Sequence, residues 1–198
     1  MPSKNSFLQK AKQKTFDEKH RTTIAFNIGK YDKSVAVGKQ QYANLEAVKR
    51  YAKNTKWQAI ENLADYLEDF ERNFSNRGGK VIWAKTAEEA AEAVLQIAAK
   101  KKAKLVVKAK SMVTEEIDLN EALKRQEIEV LETDLGEYIV QLADEKPYHI
   151  VTPAMHKSKE DIAELFNEKL QTPLESTPEQ LTMAARRELR SAFLKADI

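Results

Sequence analysis

After Gly79 the sequence alternates between short apolar runs and longer stretches with helical periodicity. The apolar runs predict strands at residues 80–85, 103–110, 127–132 and 148–154. Apolar residues at helical spacing predict helices at 86–101, 111–126, 135–142 and 158–170. Strands that alternate with helices build βαβ units and parallel sheets. The sequence therefore predicts an α/β fold with a mainly parallel sheet flanked by helices.

Several of these helices carry recognisable starting residues. Thr86 and Ser158 are predicted N-caps, each with an acidic residue three positions later that can complete a capping box. Thr177 is predicted to cap a final helix that has Pro178 at its first position, where a missing N–H is tolerated. Local side-chain chemistry thus predicts where the helices begin.

The chain before Gly78 has a different character. No Gly or Pro occurs from residue 40 to 76, and the apolar spacing there predicts one long helix or two in sequence. Residues 4–33 are also helix-prone. Residues 1–80 carry 16 Lys/Arg against 9 Asp/Glu, whereas residues 81–198 carry 17 against 22. We therefore predict an N-terminal helical arm, residues 1–77, and an α/β domain, residues 78–198, with the basic arm in contact either with an acidic partner or with the acidic domain itself.

Ligands of parallel sheets usually bind beyond the carboxyl ends of the strands. At the first such junction, Lys108, Lys110 and Ser111 precede a predicted helix, and their ammonium groups with the helix N–H groups could hold an anion. The alternative is a serine cap flanked by solvated lysines. The absence of a Gly-rich cradle excludes a Walker loop and a dinucleotide fingerprint.

The second junction lies in "LETDLGEYIVQL", residues 131–142. Thr133 and Asp134 connect a strand to a helix, so that Asp134 is a predicted N-cap and Glu137 completes a capping box. The same position at the strand end also suits a ligand contact. His156 lies at a third junction, as either a structural or a ligand-binding residue.

Composition excludes several classes of function. The chain has no Cys, which excludes thiolate-held iron–sulfur clusters and Cys-based zinc sites within it, and its three His lack metal-binding spacing. No apolar run reaches membrane-spanning length, and the N-terminus lacks the apolar region of a secretion signal. No nucleic-acid-binding pattern is present. We expect a cytoplasmic protein with no metal, no transmembrane segment and no nucleic-acid partner.

Five long segments resemble one known family. They are GGKVIWAKTAEEA, VVKAKSMVTEEIDLN, LETDLGEYIVQLA, HIVTPAMHKSKEDIAELF and TPEQLTMAARRELRSAFLKADI. In this order they resemble the lactate utilisation protein B family, the iron–sulfur subunit of a bacterial complex that oxidises L-lactate. The resemblance runs along the whole chain.

The resemblance implies a lactate-utilisation (LUD) domain, related in fold to the ribose-phosphate isomerase and CoA-transferase group. It also implies electron transfer during oxidation of L-lactate to pyruvate, other subunits of the complex as partners, and 4Fe–4S clusters held by cysteines of a later region. Because this chain has no Cys, we expect a fragment, or a split or truncated gene product, that contains the first part of the LUD domain, lacks the clusters and is inactive alone. The resemblance supplies no catalytic residues.

Two alternatives remain open at this point. The first is an enzyme or sensor of the isomerase/CoA-transferase type that binds a small anion, a sugar phosphate or CoA, which rests on fold analogy. The second is an assembly module whose long helices dock partner subunits without any small ligand.

Overall fold

The structure is a computed structural model that describes residues 4–198, and compact packing divides these residues into two units. One unit contains residues 4–29 and 86–198, and the other contains residues 30–85. The helices are α1 Lys4–Thr15, α2 Glu18–Lys39, α3 Leu45–Glu61, α4 Leu63–Asn76, α5 Ala87–Lys101, α6 Met112–Glu116, α7 Leu119–Lys124, α8 Leu135–Leu142, α9 Lys159–Leu170 and α10 Pro178–Lys195, and the strands are β1 Leu105–Lys108 and β2 Glu129–Glu132. The predicted boundary between residues 77 and 78 stays a prediction.

The predicted α/β class with a parallel sheet flanked by helices is confirmed. In the described residues the sheet consists of β1 and β2, paired in parallel from Leu105 opposite Glu129 to Lys108 opposite Glu132. The crossover between the two strands contains α6 and α7, as a parallel connection requires. The backbone of residues 197–198 runs along the other side of β1, where Val107 N–H donates to Ile198 O at 2.9 Å.

Helices cover both faces of this small sheet. Side chains of successive strand residues point to opposite faces, so neighbouring residues of one strand pack against different helices. Val130 packs into a cluster with α5 and α7, whereas Leu131 packs against a second cluster with α8, α9 and α10. The first cluster contains Ala98, Ala103, Val106, Leu119, Leu123, Ile128 and Val130, and the second contains Tyr138, Ile139, Ala163, Phe166, Leu181 and Ala185. These two clusters form the core of the unit.

The capping predictions agree with the structure. The Thr86 side chain accepts a hydrogen bond from Glu89 N–H, and Ser158 and Asp161 form the reciprocal capping box at the start of α9. Thr177 caps α10 with Pro178 in the first turn, and Gln180 completes a second capping box. Residues 45–76 form two helices in sequence, which is one of the two predicted arrangements.

Two predicted strands are wrong. Residues 80–85 lie outside the sheet, with Ile82 and Trp83 exposed, because the apolar run has no neighbouring strand to pair with. Residues 148–154 form bends and turns instead of a strand. His149 Nδ1 accepts from Val151 N–H at 3.1 Å, and Pro153, which has no N–H to contribute to a ladder, accepts from Tyr148 N–H at 2.9 Å.

The predicted helix at 111–126 is divided into α6 and α7. Asp118 adopts a left-handed conformation, with φ of 50°, between the two helices. Asp tolerates this region better than most residues, so the chain turns there and starts a new helix. Strands β1 and β2 are also shorter than the predicted runs. None of the helices between residues 4 and 198 has the length and apolar character that a bilayer crossing requires.

Candidate functional site

The carboxyl ends of β1 and β2 bring a lysine and a glutamate together. Lys108 and Glu132 are register partners, and Lys108 Nζ lies 2.5 Å from Glu132 Oε1. Their side chains are only 10% and 5% exposed, so both charges are buried and each depends on the other. Lys108 also donates to Thr114 Oγ1 at 3.0 Å, and Asn120 Nδ2 donates to Glu132 Oε1 at 3.0 Å.

The Gln141 side chain of helix α8 forms two hydrogen bonds with the backbone of β2. Gln141 Oε1 accepts from Glu132 N–H at 3.0 Å, and Gln141 Nε2 donates to Val130 O at 2.8 Å. These two bonds satisfy backbone groups of β2 on the side away from β1. They thereby fix the position of α8, and of the residues it carries, relative to the strand ends.

A second acid–base pair lies beside the first. Lys110 Nζ is 3.4 Å from Glu137 Oε1, and the Glu137 residue is only 2% exposed. Burial raises the pKa of Glu137, and repulsion from Glu115 raises it further, whereas Lys110 opposes the shift. The Lys110 side chain is 26% exposed, so it is the more accessible lysine of the two pairs.

Three acceptor oxygens at this edge are buried without a hydrogen-bond partner: Asn120 Oδ1, Glu132 Oε2 and Glu137 Oε1. Glu137 Oε1 is within ion-pair distance of Lys110 but outside hydrogen-bond geometry. Buried polar atoms are normally satisfied. We name this group, Lys108, Lys110, Asn120, Glu132 and Glu137, the edge cluster. Its oxygens can accept hydrogen bonds, and Lys110 can donate to an anion.

The other residues predicted at the first two junctions, Ser111, Thr133 and Asp134, form hydrogen bonds with backbone groups. Ser111 Oγ accepts from Thr114 N–H and caps α6. The Thr133 N–H and Oγ1 both donate to Lys108 O, at 2.9 and 3.1 Å. Asp134 Oδ1 accepts from Gly136 N–H at 3.1 Å and from Glu137 N–H at 3.4 Å. The predicted cap at Asp134 is therefore present.

The predicted capping box at α8 is wrong in its second half. The Glu137 carboxylate approaches Lys110 and does not return to the Asp134 N–H. The buried lysine–glutamate contact competes with the reciprocal cap, because one carboxylate cannot reach both groups. Glu137 thus belongs to the edge cluster, while Asp134 supports it by starting α8.

His156 belongs to a different group of side chains. Its Nε2 lies 2.6 Å from Glu145 Oε2, and its ring stacks on Tyr148 with centroids 5.0 Å apart. Tyr148 OH in turn lies 3.1 Å from His20 Nε2 on α2. These residues line a cleft of about 630 Å³. The contacts therefore place His156 with His20, Glu145 and Tyr148, a group we call the histidine cluster.

Burial and neighbouring groups shift the pKa values of His20 and Glu145 in this cluster. Burial lowers the pKa of His20, and the nearby Lys14 lowers it further. For Glu145, burial favours the neutral acid, but hydrogen bonds from Lys157 and His156 outweigh burial and lower its pKa. Glu145 is thus held as a carboxylate between two donors. The part of the chain that the structure describes contains no group of three or more side chains suited to a metal ion.

Sequence patterns identified Lys108, Lys110 and Glu137 but missed their surroundings. Glu132 falls within a predicted strand, and its pairing with Lys108 depends on strand register. Asn120 lies in α7, one of the two helices that connect the strands. A polar residue at the last position of a buried strand is the signal that could have identified Glu132.

Comparison with known proteins supplies the family. The LUD domain matches residues 67–198. Lactate utilization protein B of Bacillus velezensis is 46% identical over 160 residues, which cover 80% of this chain and 34% of that protein. The Bacillus subtilis protein of the same name is 47% identical over 160 residues, covering 80% and 33%. The Oceanobacillus iheyensis protein of this name is 42% identical over 178 residues, covering 90% and 37%.

The chain spans about a third of the length of the curated relatives it matches. No solved structure matches it. The resemblance to lactate utilisation protein B that the sequence segments indicated is confirmed by these identities, and the domain match covers well over half of the residues. The chain therefore belongs to the LUD domain family.

Proposed function

We propose that this chain acts in lactate utilisation, as the LUD-domain part of an iron–sulfur subunit of a cytoplasmic L-lactate oxidising complex. The observation that carries this proposal is the sequence identity of 46–47% over 160 residues to proteins named for lactate utilisation. The electron-transfer role, the partner subunits and the cytoplasmic location are parts of the proposal. They rest on the family resemblance.

The residues of this chain do not fit an iron–sulfur cluster. Thiolates hold such clusters, and the 198 residues contain no Cys. No electron-transfer step is therefore assigned to the residues described here. Within the proposed subunit, these residues would bind and position a small ligand, and other parts of the protein would carry the clusters.

The binding role is assigned to the edge cluster. We propose that it takes a small anionic ligand, which approaches Lys110 and accepts its hydrogen bonds. The contact between Lys110 and Glu137 is loose, at 3.4 Å, so an anion can draw the ammonium group away from the carboxylate. Glu137, whose pKa burial already raises, then takes up a proton. Ligand affinity is accordingly expected to increase as the pH falls.

The cellular role is tested by deleting the coding region for residues 67–198 in the organism that carries it. Growth on L-lactate should be lost, while growth on pyruvate, the product of the oxidation, should be unchanged. Restoring the intact gene should restore growth on L-lactate. Unaltered growth of the deletion strain on L-lactate would contradict the proposal, as would an equal loss on pyruvate.

The binding role is tested by calorimetric titration of the chain with L-lactate, pyruvate, inorganic phosphate and CoA. Loss of a charge-assisted hydrogen bond in Lys110→Gln should weaken binding about 10- to 100-fold. Lys101→Gln, at the exposed end of α5, is the matched control and should bind as the unaltered chain does. Glu137→Gln should retain binding and lose its pH dependence.

The same titrations discriminate the alternatives. Tight binding of CoA or a sugar phosphate, without growth effects on L-lactate, would favour the isomerase/CoA-transferase type of enzyme or sensor. No binding of any anion, together with stable association with partner subunits, would favour the assembly module. The exposed apolar side chains of residues 30–85 are the specific observation that supports an assembly role.

A further inference from the structure

The unit formed by residues 30–85 contains no buried residue. Its helices α3 and α4 nevertheless carry large apolar side chains, among which Ile60 is 70%, Leu63 52% and Phe70 56% exposed. An exposed patch of this kind is unusual on a protein surface and commonly marks a contact site. The free energy available from covering these side chains is therefore not realised within this unit.

Most of the large apolar side chains lie along one face of the two helices. The hydrogen-bond ladder passes through Asn62, which donates its N–H to Gln58 O and accepts from Tyr66 N–H, each at 3.1 Å. With a helical advance of about 100° per residue, ten apolar residues of the two helices fall on one side, and Lys49 and Lys56 fall there with them. The ten are Leu45, Val48, Ala52, Ala59, Ile60, Leu63, Tyr66, Leu67, Phe70 and Phe74. We call this face the α3–α4 stripe.

Charge is distributed unevenly along the stripe. Helix α3 carries four basic residues against two acidic ones, a net charge of +2, and α4 carries four acidic residues against one basic, a net charge of −3. A helix pair of this kind repels a parallel copy of itself. It attracts an antiparallel copy, because the basic half of each then faces the acidic half of the other.

The spacing of individual charges supports the antiparallel arrangement. Lys53 lies nine residues before Asn62 and Glu71 nine residues after it, and the 100° advance places both at the same edge of the stripe. An antiparallel pair centred on Asn62 therefore places Lys53 opposite Glu71 of the second copy. A two-fold axis repeats this contact, as an isologous dimer requires.

We propose that the α3–α4 stripe is a dimerisation surface that binds a second copy of this chain in an antiparallel helix pair. Dimerisation through this stripe requires neither ligand binding at the edge cluster nor a role in lactate utilisation. It explains why a helical unit without a core of its own retains a ten-residue apolar face.

Sedimentation velocity over a range of concentrations tests the proposal on the full 198-residue chain. The expected result is a reversible monomer–dimer equilibrium. Phe70→Glu, which places a charge in the middle of the stripe on α4, should leave only monomer. Tyr51→Glu makes the same kind of change at an exposed aromatic side chain away from the stripe, and it should leave the dimer intact. A monomer at all concentrations, or a dimer that survives Phe70→Glu, would overturn the proposal.

A charge exchange tests the orientation. Lys53→Glu and Glu71→Lys should each weaken the dimer several-fold, and the double variant should recover it, because each new charge again faces its opposite. Failure of the double variant to recover would contradict the antiparallel register. Circular dichroism of each variant verifies that the helices persist.

Because the chain has no cysteine, a single introduced one reports contacts between copies. Leu63→Cys lies next to the proposed axis and should form an intermolecular disulfide under mild oxidation. Phe74→Cys should not, because the two positions would be separated by about 35 Å in an antiparallel pair. Cross-linking through Phe74→Cys in preference to Leu63→Cys would indicate a parallel pair and overturn the assignment.

Discussion

Residues 86–198 and residues 30–85 are both rich in helix, but only the first region has a core. Phe166 and Leu123, in the first region, are 1% and 0% exposed, whereas Phe70 and Leu63, in the second, remain more than half exposed. Helix capping is similar in both regions, since Asn44 and Asp134 each cap a helix through a side-chain oxygen. Caps and local hydrogen bonds are therefore sufficient to define a helix, but most of the stability of a domain comes from burial of apolar side chains.

Hydrogen exchange should give the largest difference between the two regions. In Phe70→Glu, which removes the proposed association, amides of α3 and α4 should exchange through local fraying with opening free energies near zero. Amides of β1 and β2 should exchange only through global unfolding, which for domains costs about 5–15 kcal/mol. Mass spectrometry of peptides from each region measures this. Equal protection of α4 and β1 in the monomer would show that α4 is covered within one copy.

Truncation of a core side chain should give the next largest effect. Phe166→Ala removes a ring from the cluster between α8, α9 and α10 and should destabilise the cooperative unit by about 3–5 kcal/mol. The matched change Tyr51→Ala, at a side chain that is 75% exposed, should alter stability by less than about 0.5 kcal/mol. Urea unfolding of the variants provides the numbers. Similar losses from both substitutions would mean that residues 30–85 contribute to the same core.

Removal of a helix cap should have a smaller effect than truncation of a core side chain, and a different one in each region. Asp134→Ala should cost about 0.5–2 kcal/mol, and Asp134→Asn should recover most of it, because the amide oxygen also accepts the N–H groups of Gly136 and Glu137. In residues 30–85, Asn44→Ala removes the bond to Ala47 N–H, but it should reduce helix content without moving the cooperative transition. Circular dichroism and near-ultraviolet thermal melts separate helix loss from core unfolding. If Asp134→Ala melts as the unaltered chain does, the capping role of Asp134 is not important for stability.

These contrasts explain which parts of the fold could be predicted. Starts of helices at Thr86, Ser158 and Thr177 depend on residues within one turn, so a sequence window contains the necessary information. Residues 80–85 and 148–154 have the apolar content of strands, but a strand also needs a neighbouring ladder, which no local window reveals. The break at Asp118 depends on how α6 and α7 fit across the sheet.

The candidate site shows the same division. Lys108 and Lys110 were identified because they lie at the end of a predicted strand, which is a local signal. Their partners Glu132 and Glu137 come from the next strand and helix, and the choice of Lys110 over a reciprocal cap for Glu137 follows from packing. His20 joins His156 across more than a hundred residues, so no spacing rule could have connected them.

The smallest predicted effect concerns two ion pairs of equal length. Lys19 Nζ lies 2.7 Å from Asp161 Oδ1, joining α2 to α9, and Lys49 lies 2.7 Å from Glu46 within α3. Burial favours the neutral form of Asp161, but hydrogen bonds from Lys19 and from Ser158 outweigh burial and lower its pKa to about 2. The unfolded chain, with a carboxyl pKa near its ordinary value of 3.8, then binds more protons than the folded chain between these two pH values. The resulting stabilisation is fully present above pH 3.8 and is lost as the pH falls through about 2.

Lys19→Gln should therefore lower the melting temperature near neutral pH, and the difference from the unaltered chain should shrink between about pH 4 and pH 2. Because Lys19 is exposed, the decrease should stay below about 4 °C. Asp161→Asn should lower the melting temperature in the same pH-dependent way as Lys19→Gln. It should keep the capping box, because the amide oxygen can still accept the hydrogen bond from the Ser158 N–H. Lys49→Gln removes a pair of the same length in residues 30–85 and should not shift the cooperative transition at any pH. A pH-independent difference for Lys19→Gln, or an equal shift for Lys49→Gln, would mean that the pair between α2 and α9 contributes no more than a solvated contact within one helix.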